Sequence, residues 1–404
     1  MLTKSICKQL LGVEGCIVED LQMSSDGLLV GSLRLYKKQQ QRCGICGRKS
    51  PWYDRGRGDR FWRSLDFGTF QVFVKADTAR VNCRKHGVVA TKVPWARHGS
   101  RFTKDFEDQA AWLTVKTSRT AVASLLRITW RTVTGIAERI VKYGIEEKDP
   151  LEGLHRIGID EISFKKGHRY ITLVYDQDNC KLVWAGSGKS SSTLDIFFNK
   201  LGPERCAALT HVSADGAPWI NVALDKHCPK AIKCLDPFHV VQWAVRALDL
   251  VRSEVWHNAK LKGDRKIAVS LKGARYALWK KPQNLTSHQK TQLSTIKQIN
   301  EPLYEAYLLK EQLRMVFQQS KKEDGLSLLD EWLEWAQVCE LDSFVELARQ
   351  IKAHHSEIEA TLTHKLNNAR VESLNTKIRL VIRRAFGFHS PEALISVAML
   401  WCVA

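Results

Sequence analysis

Two short motifs constrain the folding of this chain more than any other feature. Cys43-Gly-Ile-Cys46 and Cys83-Arg-Lys-His86 each set two metal-ligand side chains three residues apart. Four such ligands can complete a tetrahedral shell around one ion only if the chain between them doubles back. That intervening stretch, "FWRSLDFGTFQVFVKADTARVNC", alternates apolar and polar positions as a strand hairpin does. The pattern predicts a zinc ribbon, in which one structural Zn2+ is held by Cys43, Cys46, Cys83 and His86. The remaining eight cysteines are scattered, mostly in apolar contexts such as "AIKCL" and "MLWCVA". That distribution suits buried, reduced thiols of a cytoplasmic protein.

The ribbon sits in a basic field. From Leu33 to Lys104 there are 18 Lys or Arg against four Asp, out of a net charge of +19 for all 404 residues. Positive charge of this density faces a polyanion, and nucleic acid is the first expectation. No apolar run approaches the roughly 18 residues of a membrane span, and the N-terminus lacks the apolar core and cleavage site of a secretory signal. A chain of this length holds several domains.

From Phe102 to Gly144 the periodicity becomes helical. "SRTAVASLLRITWRTVTGIAERIV" contains two helices joined by a turn near Ile128. The first is expected to pack through Val122, Leu125 and Leu126, the second through Val133, Ile136, Ile140 and Val141. Thr129 is placed to cap the second helix, its hydroxyl accepting from a free first-turn amide. This is a helix-turn-helix, and Arg131, Thr132 and Thr134 would project from its second helix toward a major groove. Arg57, Arg97 and Arg101 are further candidates for DNA contact.

After the polar joint "EEKDPLEG", the segment "HRIGIDEISF" opens a different region. Strands are expected over 155–163, 169–176 and 180–186, then a helix, a strand ending at Asp215, a helix, and a strand ending at Asp236. Three strands, helix, strand, helix, strand is a ribonuclease-H-like α/β order, with carboxylates at the ends of the first and fourth strands. Asp160 and Asp215 occupy those two places. Asp236, followed by Pro237, suits a helix N-cap with proline at the first helical position, and His239 lies one turn further on. Residues 237–363 read as almost entirely helical. A last long helix is expected over 363–386, stopped by Gly387. On it Asn368, Glu372 and Asn375 share one face, continued by Arg379 and Arg383. An acid flanked by amides and followed by arginines suits a metal ligand beside a DNA backbone.

With these segments in place the chain resembles the DDE transposases of bacterial insertion sequences, the L-three group. The knuckles, "VPWARHGSRFT", "GIDEISF", "VSADGAPW", "CLDPFHVVQWA", "LKGARYALWKKPQNLT" and "NARVESLNTKIRLVIRRAFGF" carry that resemblance over nearly the whole length. His86 departs from it by standing where a fourth thiolate is usual. The resemblance implies a DDE triad of Asp160, Asp215 and Glu372; by their placement Asn368, Asn375, Asp236 and His239 are accessory candidates. It implies five segments: 1–101 with the zinc ribbon, 102–150 with the helix-turn-helix, 151–245 as the first part of the catalytic domain, 246–362 as a helical insertion, and 363–404 with the third carboxylate.

Three carboxylates without thiol or imidazole form a hard oxygen site suited to two Mg2+ or Mn2+ ions. Such a site would cut a phosphodiester with water and join the freed 3′-hydroxyl to another duplex. The expected partners are double-stranded DNA, as terminal inverted repeats and as target, and a second copy of the chain on that DNA. No membrane is involved, and the bacterial nucleoid is the expected location. Two other readings stand beside this one: a non-catalytic DNA-binding regulator, and a ribonuclease-H-like nuclease without strand transfer.

Overall fold

The computed structural model describes residues 8–145, 149–366 and 369–403. The described residues form two compact units, one within 1–149 with 381–402, the other within 150–380.

The first unit contains two small sheets. Strands β1 (Cys16–Met23), β2 (Leu28–Leu35), β4 (Asp59–Arg63) and β5 (Gln71–Asp77) pair in the order β1-β2-β5-β4. Strands β3 (Trp52–Asp54), β6 (Arg80–Cys83) and β7 (Gly87–Ala90) form a separate sheet ordered β3-β6-β7. The expected hairpin between the knuckles exists as β4–β5, but it belongs to the first sheet and not to the ribbon. Its inward residues Trp62, Val72, Val74 and Ala76 pack with Val18, Leu33 and Leu35 of β1 and β2. Period-two alternation marks a strand with one buried face, but it does not say which partner covers that face. The knuckles are instead joined through β6, and Val81, Cys43 and Cys83 make a small core of their own.

Three helices follow: α1 (Lys104–Lys116), α2 (Arg119–Leu126) and α3 (Trp130–Ile140). Each starts at a hydroxyl cap, Thr103, Ser118 and Thr129, whose side chain accepts from an amide three residues on. Arg127 turns the chain between α2 and α3 in the left-handed region, at φ 55°. Val122, Leu126, Val133, Ile136, Ile140 and Val141 are buried as expected. Leu125 is not: it is 64% exposed, because Val122 and Leu126 already fill the inward face of a two-turn helix. Glu107 of α1 is fully buried and ionically paired, with Arg97 Nη1 at 3.1 Å, Arg139 Nε at 2.6 Å and the Ser100 hydroxyl at 2.7 Å. Residues 381–402 complete this unit with most of the last helix, α16 (Pro391–Val403).

In the second unit, strands β8 (Arg156–Lys165), β9 (Arg169–Asp176), β10 (Lys181–Ser187), β11 (His211–Ala214) and β12 (Ile232–Leu235) form a sheet ordered β10-β9-β8-β11-β12. The first three strands are antiparallel and the last two run parallel to β8, the ribonuclease-H-like arrangement expected. Helices α4 (Ser191–Leu201), α5 (Pro203–Ala208) and α6 (Pro218–His227) connect these strands. Beyond β12, helices α7 (Pro237–Leu261), α8 (Arg265–Gly273), α9 (Arg275–Trp279), α10 (Ser287–Ile299), α11 (Glu301–Val316), α12 (Lys322–Val338), α13 (Asp342–Ala353) and α14 (His355–His364) build a second core around Leu309, Leu313, Trp332 and Phe344. The single helix expected over 363–386 is interrupted. Lys365 adopts the left-handed region, and α15 begins only at Ala369, running to Arg384. Gly387, at φ 97°, follows its end as expected.

Among the described residues no helix is long and apolar enough to cross a membrane, and nine cysteines, including Cys16, Cys206, Cys228 and Cys234, are free thiols.

Candidate active site and zinc centre

The two knuckles converge. Cys43 Sγ lies 3.5 Å from His86 Nδ1, Cys46 Sγ 3.8 Å from Cys83 Sγ, and Cys83 Sγ 3.7 Å from His86 Nδ1. All four ligand atoms fall within 4.8 Å of one another. A zinc–sulfur bond of about 2.3 Å gives tetrahedral edges of about 3.8 Å, so the spacing fits the ion without rearrangement. The amide of Lys85, with that of His86, points at the Cys83 thiol and lowers its pKa to about 6, toward the thiolate that binds metal. Burial acts the other way on Cys43 and raises it.

The carboxylates are built differently. Asp160 lies inside β8, not at its end, and pairs across the ladder with Leu173. Consecutive residues of a strand face opposite ways, so Asp160 and Glu161 look to different sides of the sheet. On the Asp160 side, Asn375 of α15 donates to Asp160 Oδ2, and the Tyr175 hydroxyl donates to Asn375 Oδ1. Tyr175 is opposite Gly158 on β9, hence on that same face. Burial raises the Asp160 pKa, while His239, the Glu161 amide, Asn375 and Arg379 pull it down. On the other side Glu161 is salt-bridged to Lys189 at 3.0 Å. Burial raises the Glu161 pKa too, followed by the negative charge of Asp215.

Asp215 comes one residue after β11. That strand pairs with β8 as far as Ser213 and Gly158, and the negative charge of Asp215 just beyond it is felt by Glu161 and Lys189. Its Oδ1 accepts from the Ala217 amide at 2.9 Å, which fixes the turn. Asp236 is buried and caps α7, accepting from the Phe238 amide, and His239 Nε2 stands 3.8 Å from it. Glu372 is exposed on α15, three residues before the buried Asn375, so the two share a helix face. Asn368 lies outside the described residues. Among the described residues, Asp160, Asp215 and Glu372 do not form a set of ligand atoms within 4.8 Å as the knuckles do.

The DNA-facing candidates separate by their partners. Arg131, Arg57, Arg101, Arg379 and Arg383 are exposed, with Arg57 at a turn and Arg131 lying over the Trp130 ring at 5.3 Å. Arg97 is different: it spends its guanidinium on Glu107 and on Asp108 at 2.6 Å. Thr132 bonds back to Thr129 at 2.9 Å, and Thr134 accepts from Arg119 at 3.1 Å. Sequence reasoning missed Tyr175, which carries no local signal, and the Glu161–Lys189 pair, for which the acidic neighbour of Asp160 was the one hint.

A knuckle cluster and a helix-turn-helix, in a chain that also folds a ribonuclease-H-like sheet with acids at adjacent strands, define the class of enzymes that cut and transfer DNA strands. Comparison with known proteins gives the particular family. A family model described as transposase matches residues 157–398, the helix-turn-helix domain of transposase family ISL3 matches 91–141, and the zinc-finger of transposase IS204/IS1001/IS1096/IS1165 matches 39–86. The chain is 47% identical over 418 aligned positions to the transposase for insertion sequence element IS1557 of Mycobacterium tuberculosis, covering 97% of this chain and 94% of that protein. It is 25% identical over 397 positions to the transposase for insertion sequence element IS1001 of Bordetella parapertussis, covering 97% and 96%. The chain belongs to the ISL3 family of transposases, and it is a DNA transposase.

Proposed function

We propose that Asp160, Asp215 and Glu372 hold two Mg2+ or Mn2+ ions, and that this one centre both cuts the transposon ends and joins them to target DNA. The Asn375–Asp160 hydrogen bond carries this reading, because it docks the helix bearing Glu372 onto the strand bearing Asp160. Asp215, just past the end of the neighbouring strand β11, supplies the second acid. The donor set is oxygen only, which fits hard divalent cations. Bound there, such ions would polarise the scissile phosphate and stabilise the leaving 3′ oxygen.

The chain's own residues do the positioning. Asn375 and the Glu161 amide, whose N–H donates to Asp160 Oδ1 at 2.7 Å, fix the orientation of that carboxylate. His239 and Arg379 present donors and positive charge on the Asp160 side, suited to the non-bridging oxygens of a phosphodiester. Arg131 on α3 reads base edges of the terminal inverted repeats, while Arg57 and Arg101 hold phosphates. Two ends are processed together, so the working form on DNA is a homodimer, acting at the nucleoid of a bacterial cytoplasm.

The test is joining of a labelled transposon end to a plasmid with Mg2+ or Mn2+. Asp160→Asn, Asp215→Asn and Glu372→Gln should each lose joining and keep end binding. If Asp215→Asn kept activity while Asp236→Asn lost it, the second ligand would be Asp236. Absence of joining by the unaltered chain with either metal would favour a non-catalytic regulator.

A further inference from the structure

The segment "LKGARYALWKKPQNLT", residues 271–286, belongs to none of the sites above. It lies in a stretch of unusual charge. Between Trp256 and Lys281 there are eight Lys or Arg against Asp264 alone, a net +7. Between Glu301 and Leu362, in the same helical region, 13 Asp or Glu face six Lys or Arg, a net −7. A face that merely stays in solution needs mixed charge, not separation of the two signs. Like charges crowded on the end of α7 and the short helices α8 and α9 repel one another, so a segregated surface implies a partner that neutralises it.

The packing turns this charge outward. Leu271, Ala274, Ala277 and Leu278 are buried against the helical core. Lys260, Lys262, Arg265, Arg275, Lys280 and Lys281 are left exposed around them. Lys262, Arg265 and Lys281 have no carboxylate partner among the described residues, whereas Arg275 reaches Asp249 at 3.6 Å and stacks on Trp279 at 4.0 Å. Tyr276 stands 63% exposed among them. The corner is also held firmly. The buried Lys310 donates from Nζ to the Leu278 carbonyl at 2.6 Å, closing the end of α9, and sits 4.6 Å from the Tyr307 ring centroid.

We propose that this corner, formed by the end of α7 with α8 and α9, is a sequence-independent binding face for target duplex DNA. It rests on the reading of the chain as a strand-transfer enzyme. Lysines dominate it, and an ammonium meets phosphate as a point charge without reading bases. A surface of that kind suits a target whose sequence varies, whereas the ends have the helix-turn-helix to read them. The acidic helices 301–362 repel DNA and confine it to the basic side.

The full-length chain carrying Lys262→Gln, Arg265→Gln and Lys281→Gln tests the proposal against a random-sequence duplex and a transposon-end duplex, each titrated with salt. Binding to the random duplex should weaken about tenfold or more at low salt, with the slope of log affinity against log salt shallower by about 2 to 3. Joining of a pre-cut end to plasmid should fall with it, and end binding should change less than about twofold. Lys262→Arg with Lys281→Arg should behave as the unaltered chain. Random-duplex binding and slope unchanged by the triple Gln substitution would overturn the proposal. So would an equal loss on both duplexes, which would assign the corner to the ends. Failure of the unaltered chain to join ends would instead count against the strand-transfer reading.

Discussion

The knuckle cluster and the proposed carboxylate centre of this chain would hold a metal in opposite ways. The four knuckle side chains meet within 4.8 Å and include a thiol drawn down to about 6 by backbone amides. The acids come from a strand interior, a strand end and a distant helix, and they do not form such a set. There, burial raises the pKa of Asp160 and Glu161, so the site resists gathering negative charge. A structural ion is served by ligands that are ready without it. Carboxylates assembled by tertiary contact, as proposed for Asp160, Asp215 and Glu372, are not gathered in advance of the ion.

The largest expected effect breaks the carboxylate side alone. Asp160→Asn should lower cleavage and joining by about a thousandfold or more, the scale of removing one group that stabilises transition-state charge. End binding measured on the same preparation should be retained. Comparable loss of both would mean that Asp160 supports the fold and not the chemistry.

Breaking the zinc side should do the reverse. Cys83→Ser, or stripping zinc with a chelator, should cost end binding about a hundredfold, because the ion contributes folding free energy directly to the ribbon. Circular dichroism and elemental analysis of the full chain would follow the loss, with one zinc per chain expected before treatment. A chain that binds no zinc yet keeps its ends would undo the contrast.

Smaller effects should separate two arginines that look alike in sequence. Arg131→Ala should reduce the preference for its own end over random DNA by about 1–3 kcal/mol with little change in stability. Arg97→Ala should leave that preference intact and lower the melting temperature, since it removes one of two cations from the buried Glu107. Specificity ratios and melting curves for both variants decide the assignment.

The smallest effect concerns pH. The folded-state pKa of Asp160 is raised, so its stabilising contribution is full below the unfolded carboxyl value and is lost as pH rises through the folded one. Without divalent ions, Asp160→Asn should therefore melt higher than the unaltered chain at pH 8, with the gap closing toward pH 4. Added Mg2+ should shrink the gap at pH 8 by stabilising only the unaltered chain. A gap that did not depend on pH would show that the carboxylate is not held against its charge.

The sequence by itself determined what depends on near neighbours. The i, i+3 ligand spacing set the knuckles, the hydroxyl cap at Thr129 set a helix start, and strand-like runs set the strands of the catalytic sheet nearly to the residue. Pro237 after Asp236 marked a cap, and a cap is what Asp236 provides. What needed the tertiary structure was every choice of partner. The β4–β5 hairpin could cover either sheet, and its apolar face found β1 and β2. Leu125 follows the same helical period as its neighbours yet faces solvent, because Val122 and Leu126 fill the available core. Arg97 sits in a basic run that looks like a DNA surface, and only the fold shows a buried Glu107 waiting for it. Asn375 lies 215 residues from Asp160, too far for any local pattern to pair them. Periodicity records which side of an element is apolar, and contact between elements is settled only when those sides compete for the same core.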